Sequence, residues 1–270
     1  MLYNHKLVLK AYRAPILLTL LLLLVNIVLV GIPAFFGVID GADEPEDLKN
    51  VHAAFVELYE DDIDCRIEEY EMVCDEAYEK TYAAYRFVYA EETPDANDIE
   101  ESTIYFTPSG STVVYVDDDQ DASRRLYAVG GNFLLIGNLD FSAVQEEAEG
   151  RDDPEAFYNA FTDNYLYNLY YADIMQNVVL LYSAQFLQVS LYALFVAALF
   201  LLLNYRMDEK RITFASAFKL TVFAMTGPAL LSAMLGYFIF GWANLVFIIV
   251  YLIRVVMVYY RVYTTDQSLL

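Results

Sequence analysis

The sequence predicts an α-helical integral membrane protein of four transmembrane helices with an inserted extracytoplasmic α+β domain. Three observations lead there. The 270-residue chain is 58% hydrophobic, yet its formal net charge is −22, two properties that fit badly in one globule. The charge is segregated: residues 40–173 hold 35 of the 38 acidic residues and 7 of the 16 Lys and Arg, a net of −28, while the rest is net +6. Outside that block lie uncharged runs of 26 residues (14–39), 32 residues (174–205) and 34 residues (220–253), each longer than the ~20 residues that cross a hydrocarbon core.

Three regions follow: 1–39, a cytoplasmic N-terminus and first transmembrane helix; 40–173, an acidic extracytoplasmic α+β domain; and 174–270, a three-helix membrane domain with a cytoplasmic C-terminus. The expected spans are 15–37, 178–204, 214–238 and 243–261, the last two parted at Phe240-Gly241-Trp242-Ala243-Asn244. The first apolar run is long and VGIPAFFG offers no small-residue cleavage site, so it reads as a retained anchor rather than a signal peptide. Lys6, Lys10 and Arg13 precede span 1, Arg206, Lys210, Arg211 and Lys219 surround the turn between spans 2 and 3, and Arg261 ends span 4. Four spans put all of these on one side, which the positive-inside rule makes cytoplasmic. Both termini are then cytoplasmic and residues 40–173 are outside.

Within the acidic block, Leu48, Val51, Phe55 and Leu58 share a helical face, with Pro45 near its start. TYAAYRFVYA alternates Tyr85, Phe87 and Tyr89 and reads as a strand. STIYFTPSGSTVVYV reads as a hairpin about Pro-Ser-Gly, and RRLYAVGGNFLLIG as a second about Gly-Gly-Asn. SAVQ at 142–145 suggests a capping box, and Asp153-Pro154-Glu155 a second helix start. Phe157, Phe161, Tyr165 and Asn168 then form a helical stripe. No breaker separates them from span 2, so one nearly continuous helix is expected; a loop with an interfacial aromatic belt is the alternative.

The two cysteines, Cys65 and Cys74, both lie in this block. An extracytoplasmic location favours a disulfide over two free thiols, and the spacing is not that of a redox CxxC. Asp117, Asp119 and Asp121 match the first ligands of an EF-hand loop, but Ala122 stands where Gly is required and Ala128 where Glu is. A looser cation site is the remaining functional reading, and a solvated acidic turn the simpler one. His5 and His52, the only histidines, fall on opposite sides of span 1 and cannot form a zinc pair or catalytic triad together. There is no P-loop, HExxH or GxSxG. No catalytic residue, metal site or cofactor is expected, and the acidity disfavours nucleic acid.

Span 3 carries Gly227-Pro228 at its centre. Pro228 removes the amide that would bond the Ala224 carbonyl, and Thr221 or Thr226 is a candidate donor to the freed oxygen. Thr226, Gly227, Pro228, Ala229, Ala233 and Gly236 make a small-residue surface suited to close helix packing. The reading is a structural kink, with a moving hinge as the sharper alternative. Arg254 is the single charge well inside a span. An intramembrane charge is by default a functional signal; against that stands snorkelling toward the cytoplasmic end, with Arg261 on the same face. The alternative to snorkelling is pairing with Asn26, Gln185 or Gln188.

RITFASAFKLTVFAMTGPALLSAMLGYF and the last span ending IIVYLIRVVMVYYR resemble the membrane part of the bacterial family called domain of unknown function 1189, whose members are labelled maltodextrin-utilisation membrane proteins. The order of one span, an extracytoplasmic domain and three spans is similar; the motif-like similarity covers about 205–261, with Thr226-Gly227-Pro228 its most specific part. The resemblance implies a multi-pass protein of the bacterial plasma membrane and no catalytic residues. The partners expected are the lipid bilayer and another membrane protein or a second copy of the chain, with carbohydrate or a cation as candidate ligands of the outer domain. The functional expectation is a non-enzymatic accessory or regulatory protein of another membrane system, with carbohydrate uptake as the candidate. The alternatives are an extracytoplasmic ligand sensor and a small homo-oligomeric transporter.

Overall fold

The computed structural model describes residues 11–61, 65–74, 78–94, 98–117, 125–205, 212–238 and 242–264. His5, the basic residues Lys6, Lys10, Arg206, Lys210 and Arg211, and most of the run Asp117–Asp121 lie outside them. The chain divides into two compact units: an apolar unit, Met1–Asp40 with Val178–Leu270, and an acidic unit, Gly41–Asn177.

The described residues include four helices long and apolar enough to cross a membrane: α1 (Ile16–Asp40), α4 (Pro154–Tyr205), α5 (Phe214–Gly236) and α6 (Ala243–Thr264). Among the described residues of the acidic unit lie α2 (Val51–Glu60), α3 (Phe141–Glu149) and eight strands. β1 (Cys65–Glu68) pairs with β2 (Glu71–Cys74) and with β8 (Leu139–Asp140), giving the order β2-β1-β8. β3 (Glu79–Tyr82), β4 (Tyr85–Tyr89), β5 (Thr103–Thr107), β6 (Gly110–Asp117) and β7 (Arg125–Asn132) form a five-stranded sheet in sequence order. Its pairs are antiparallel except β4 with β5.

The strand alternation read from the sequence places one face inward. Tyr85 and Phe87 on β4, Ile104 and Phe106 on β5, Val113 on β6 and Val129 on β7 are buried in one core with Phe55, Leu58 and Tyr59 of α2. Ile99 covers part of the other face with Val114 and Val116. Rings build the centre of the core: Phe55 meets Phe87 edge-on at 5.7 Å and Tyr165 at 5.6 Å, and Tyr59 stacks on Tyr158 at 5.3 Å. Such pairs add to the area that they bury. The outer edge of the sheet is tied to the end of α2 by Asp61, which accepts hydrogen bonds from Tyr78, Lys80 and Tyr82.

The expected hairpin about Pro108-Ser109 forms between β5 and β6. The second one does not. Gly130 and Gly131 lie inside β7, which runs unbroken to Asn132 and pairs with β6 along its whole length. The glycines serve close approach, not a turn. A Cβ at Gly130 would lie 2.7 Å from the Thr112 hydroxyl, and one at Gly131 would collide with the Leu169 carbonyl of α4. Tight turns of the unit lie at Ala83-Ala84 between β3 and β4, where Ala83 has a φ of 44°, and at Glu69-Tyr70 between β1 and β2, where both residues have positive φ, 51° and 69°. That is a type I′ geometry held without glycine. The Glu69 amide donates to Asn138 at 3.1 Å, and Cys65 and Cys74 close the hairpin at its open end with a disulfide.

Helix starts follow the expected chemistry with one shift. Asp140, not Ser142, caps α3, accepting from the Ser142 amide at 3.0 Å. Asp153 accepts from the Ala156 amide at 3.1 Å, and Pro154 takes the first helical position of α4. α4 is then helical without a break through both units' sequence, as the absence of any breaker predicted. Its buried stripe in the acidic unit is Tyr158, Thr162, Tyr165, Leu166, Leu169 and Ala172, one residue round from the Phe157–Phe161 stripe read from the sequence.

Two outcomes test this core. Gly131→Ala sets a methyl against helix backbone, which cannot rotate away. We expect a loss of roughly 1–3 kcal/mol, read as a lower denaturant midpoint of the aromatic circular-dichroism signal. Burial, before any neighbouring group, raises the ionisation points of Tyr59 and Tyr165 well above the usual 10.0. The neutral phenols are therefore favoured by the fold, with full stabilisation below pH 10 and loss as pH rises beyond it. An absorbance titration of tyrosinate should show these phenols ionising only as the aromatic circular-dichroism signal collapses.

Candidate functional site

In the apolar unit, α5 lies between α1 and α6. It begins at Thr213, whose hydroxyl accepts from the Ser216 amide at 3.3 Å. It runs parallel to α1 and antiparallel to α6, as its contacts show. A Cβ at Gly236 would strike the Pro33 ring of α1 and come within 3.3 Å of the Ala243 Cβ of α6. The Ser232 hydroxyl donates to the Ala243 carbonyl at 3.0 Å. Small residues of this kind let apolar helices approach closely. Of the small residues singled out in the sequence, Ala229, Pro228 and Gly236 are buried, and Thr226, Gly227 and Ala233 are partly so.

α6 turns Ala243, Phe247 and Tyr251 inward, one turn apart, and the Phe247 and Tyr251 rings stack at 5.7 Å. Arg254 follows on that face. Its guanidinium lies against Gly227, so closely that a Cβ there would collide with it. Arginine side chains on a helix lean toward the N-terminal end, which is the Ala243 end of α6. The side chain thus meets α5 at the α5–α6 seam. Both Gly227 and Arg254 are near the middles of their helices, and Arg254 is about 15 Å from either end of α6 by the usual rise.

The pairing weighed as the alternative to snorkelling is not formed. Among the described residues, the Arg254 guanidinium has no hydrogen-bond or ion-pair partner. Asn26 is committed elsewhere: its amide donates to the Val222 carbonyl of α5 at 3.0 Å. Gln188 donates to the Tyr192 hydroxyl at 3.2 Å, and the Gln185 carbonyl oxygen is buried without a donor. Nor do Thr221 and Thr226 serve the carbonyl freed by Pro228, since both hydroxyls are buried without partners. The side-chain donor that reaches α5 backbone is Asn26, from a helix 196 residues away in sequence. Sequence reasoning considered Asn26 only as a partner for Arg254. Its polar amide in an apolar run was the available signal.

In the acidic unit, an apolar cavity of about 10 Å³ lies beneath the disulfide, lined by Leu58, Cys65, Met72, Cys74, Tyr78 and Tyr89 among others. That is room for about one water, not for a sugar ring. His52 pairs with Asp163 at 2.7 Å on the surface. Among the described residues no three His, Cys, Asp or Glu side chains come together to hold a metal.

Gly236→Val tests the seam. The added side chain meets a rigid proline ring, so we expect a loss of roughly 1–3 kcal/mol in detergent-driven unfolding of the helical signal. Gly150→Ala, whose added Cβ would meet nothing closer than 3.6 Å, should leave that midpoint in place.

No protein-family model, no curated protein and no solved structure matches this chain.

Proposed function

We propose that the protein is a non-enzymatic, multi-pass component of a bacterial plasma membrane that assists or regulates another membrane system. In this reading α1, α4, α5 and α6 cross the bilayer, both termini are cytoplasmic and residues 40–173 lie outside. The resemblance to the domain of unknown function 1189 family makes carbohydrate uptake the system to test first. The observation that carries the reading is the α5 seam. Gly236 on Pro33, Ser232 on Ala243 and Gly227 on the Arg254 side chain give α5 the close helix contacts of a packed element, and this favours an accessory role over a transport path along it. The segregated charge supports the orientation, because the acid-rich block then stays in water and the basic ends stay inside.

An extracytoplasmic sensor is the second reading. It is favoured by α4, which is one helix from Pro154 in the acidic unit to Tyr205 in the apolar unit.

The test is gentle detergent extraction from native membranes, affinity capture of the full chain and quantitative mass spectrometry. A transporter or other membrane protein recovered in stoichiometric amount is the expected result. Recovery of this chain alone, with cross-linking before extraction as control, would overturn the accessory reading in favour of a self-contained sensor or homo-oligomer.

A further inference from the structure

We propose that the Leu134-Leu135 turn of the acidic unit is a membrane-surface anchor, seated in the headgroup layer of the outer leaflet where α4 enters the bilayer. The inference rests on the membrane placement in the reading above and adds a lipid contact that this placement does not require.

β7 is followed by a single 3-10 turn, Phe133–Leu135. Asn132 caps it by accepting from the Leu134 amide at 3.0 Å, and the Phe133 carbonyl accepts from the Ile136 and Gly137 amides at 3.1 and 3.2 Å. Phe133 is fully buried, and Ile136 packs against the same core. The two residues between them are left outside: Leu134 is 52% exposed and Leu135 41%. A turn fixed in the core at both ends thus presents two adjacent large apolar side chains. Singly exposed leucines are ordinary; what sets this pair apart is its position.

Gly131 abuts α4 at the Leu169 carbonyl and the Asp173 amide, and the Asn132 side chain donates to that of Gln176 at 3.0 Å. β7 therefore ends heading along α4 toward Gln176. The unit also begins toward that end: Glu46 accepts from Tyr167, whereas His52, later in the chain, pairs with Asp163, farther from Gln176. Asn177 closes the acidic unit's share of α4, and Val178 opens the expected span, 178–204. That span rises about 40 Å, the thickness of a bilayer with its headgroup layers. In the proposed placement Gln176 then stands at headgroup level, with the turn after Asn132 beside it. Val179 and Leu180, just past it on α4, are exposed and apolar too, so in that placement lipid surrounds the helix at this level. Lipid is the occupant that the two leucines meet there. The net of −28 over residues 40–173 gives no attraction to anionic headgroups. The hold is apolar, of the kind that seats interfacial segments about 5–10 Å into the headgroup boundary.

The experiment uses the full chain, its disulfide intact, in nanodiscs of phosphatidylcholine and phosphatidylglycerol. Leu134→Cys, Ala156→Cys and Leu187→Cys, made separately, each carry a fluorophore, and nitroxides sit on the lipid headgroup or at a shallow or deep acyl carbon. Leu187 is exposed within the α4 span and reports whether α4 is in the bilayer. Ala156, also exposed and about 30 Å along α4 from Gln176, reports water. The expected result is strong quenching at position 134 by headgroup and shallow nitroxides, quenching at 187 by the deep one, and none at 156. High salt should leave the quenching at 134 in place, because screening weakens charge contacts and not apolar ones. With the label moved to Leu135→Cys, adding Leu134→Asp should remove at least half of the quenching while the aromatic circular-dichroism signal stays unchanged. If that variant alters the signal, the comparison of 134 with 187 decides alone. Quenching at 187 without quenching at 134 would overturn the anchor and leave the membrane placement standing; quenching at neither would overturn both. Loss of the quenching at 134 in salt would also overturn the anchor. So would a photo-cross-linking amino acid in place of Leu135 that, in native membranes, joins protein and no lipid.

Discussion

Helices that meet in an apolar medium have little to gain from burying more apolar surface, so their association rests on how closely their backbones can approach. In the membrane placement proposed above, α5 is where that constraint is met. It presents Gly236 to Pro33 and Ala243, Ser232 to the Ala243 carbonyl and Gly227 to Arg254. Leucine at any of these positions would hold its neighbours apart by the width of a side chain. The contacts with α1 at one flank and α6 at the other therefore follow from what α5 lacks. Asn26 adds a directional tie by donating to the Val222 carbonyl, fixing the height of α5 against α1 as well as its distance.

The acidic unit solves the opposite problem. A net of −28 over residues 40–173 pushes the chain apart, and burial inside must oppose that repulsion. The answer is a core of large rings. Phe55 and Tyr59 of α2, Phe87 and Phe106 of the sheet, Phe141 of α3 and Tyr158 and Tyr165 of α4 make one buried cluster. Each ring buries more area than an aliphatic side chain and spends little side-chain entropy in doing so. The disulfide assists at the β1–β2 hairpin, where Glu69 and Tyr70 occupy a left-handed turn that glycine would adopt more readily.

Much of this was legible from residue order. The four apolar helices, the α2 face, the β5–β6 hairpin and the unbroken α4 each follow from a local period or the lack of a breaker. The errors share a cause: they concern what a residue faces across the fold. Gly130-Gly131 reads as a turn because turns commonly need glycine, yet here glycine is required by Thr112 and Leu169, which lie elsewhere in the chain. Tyr158 and Phe157 are both aromatic, so the sequence does not choose between them; in the fold Tyr158 is buried against Tyr59, and Phe157 is only partly buried. Thr221 and Thr226 are locally placed to serve a proline-broken helix, but their hydroxyls find no acceptor. At the candidate site, the small residues and the lone Arg254 were visible in the sequence. That Gly227 and Arg254 are neighbours was not, since it depends on how α5 and α6 align.

Gly131 has one more effect, on motion. With no side chain between them, the backbone of β7 rests on the backbone of α4 at Leu169 and Asp173. A helix seated on side chains can slide or roll as rotamers change, but a seat made of main chain has no such slack. Advancing α4 by one turn, about 5.4 Å, would present a different set of side chains to a notch only as wide as a missing methyl. At this level the helix and the strand form a single mechanical part, and any displacement of one carries the other with it.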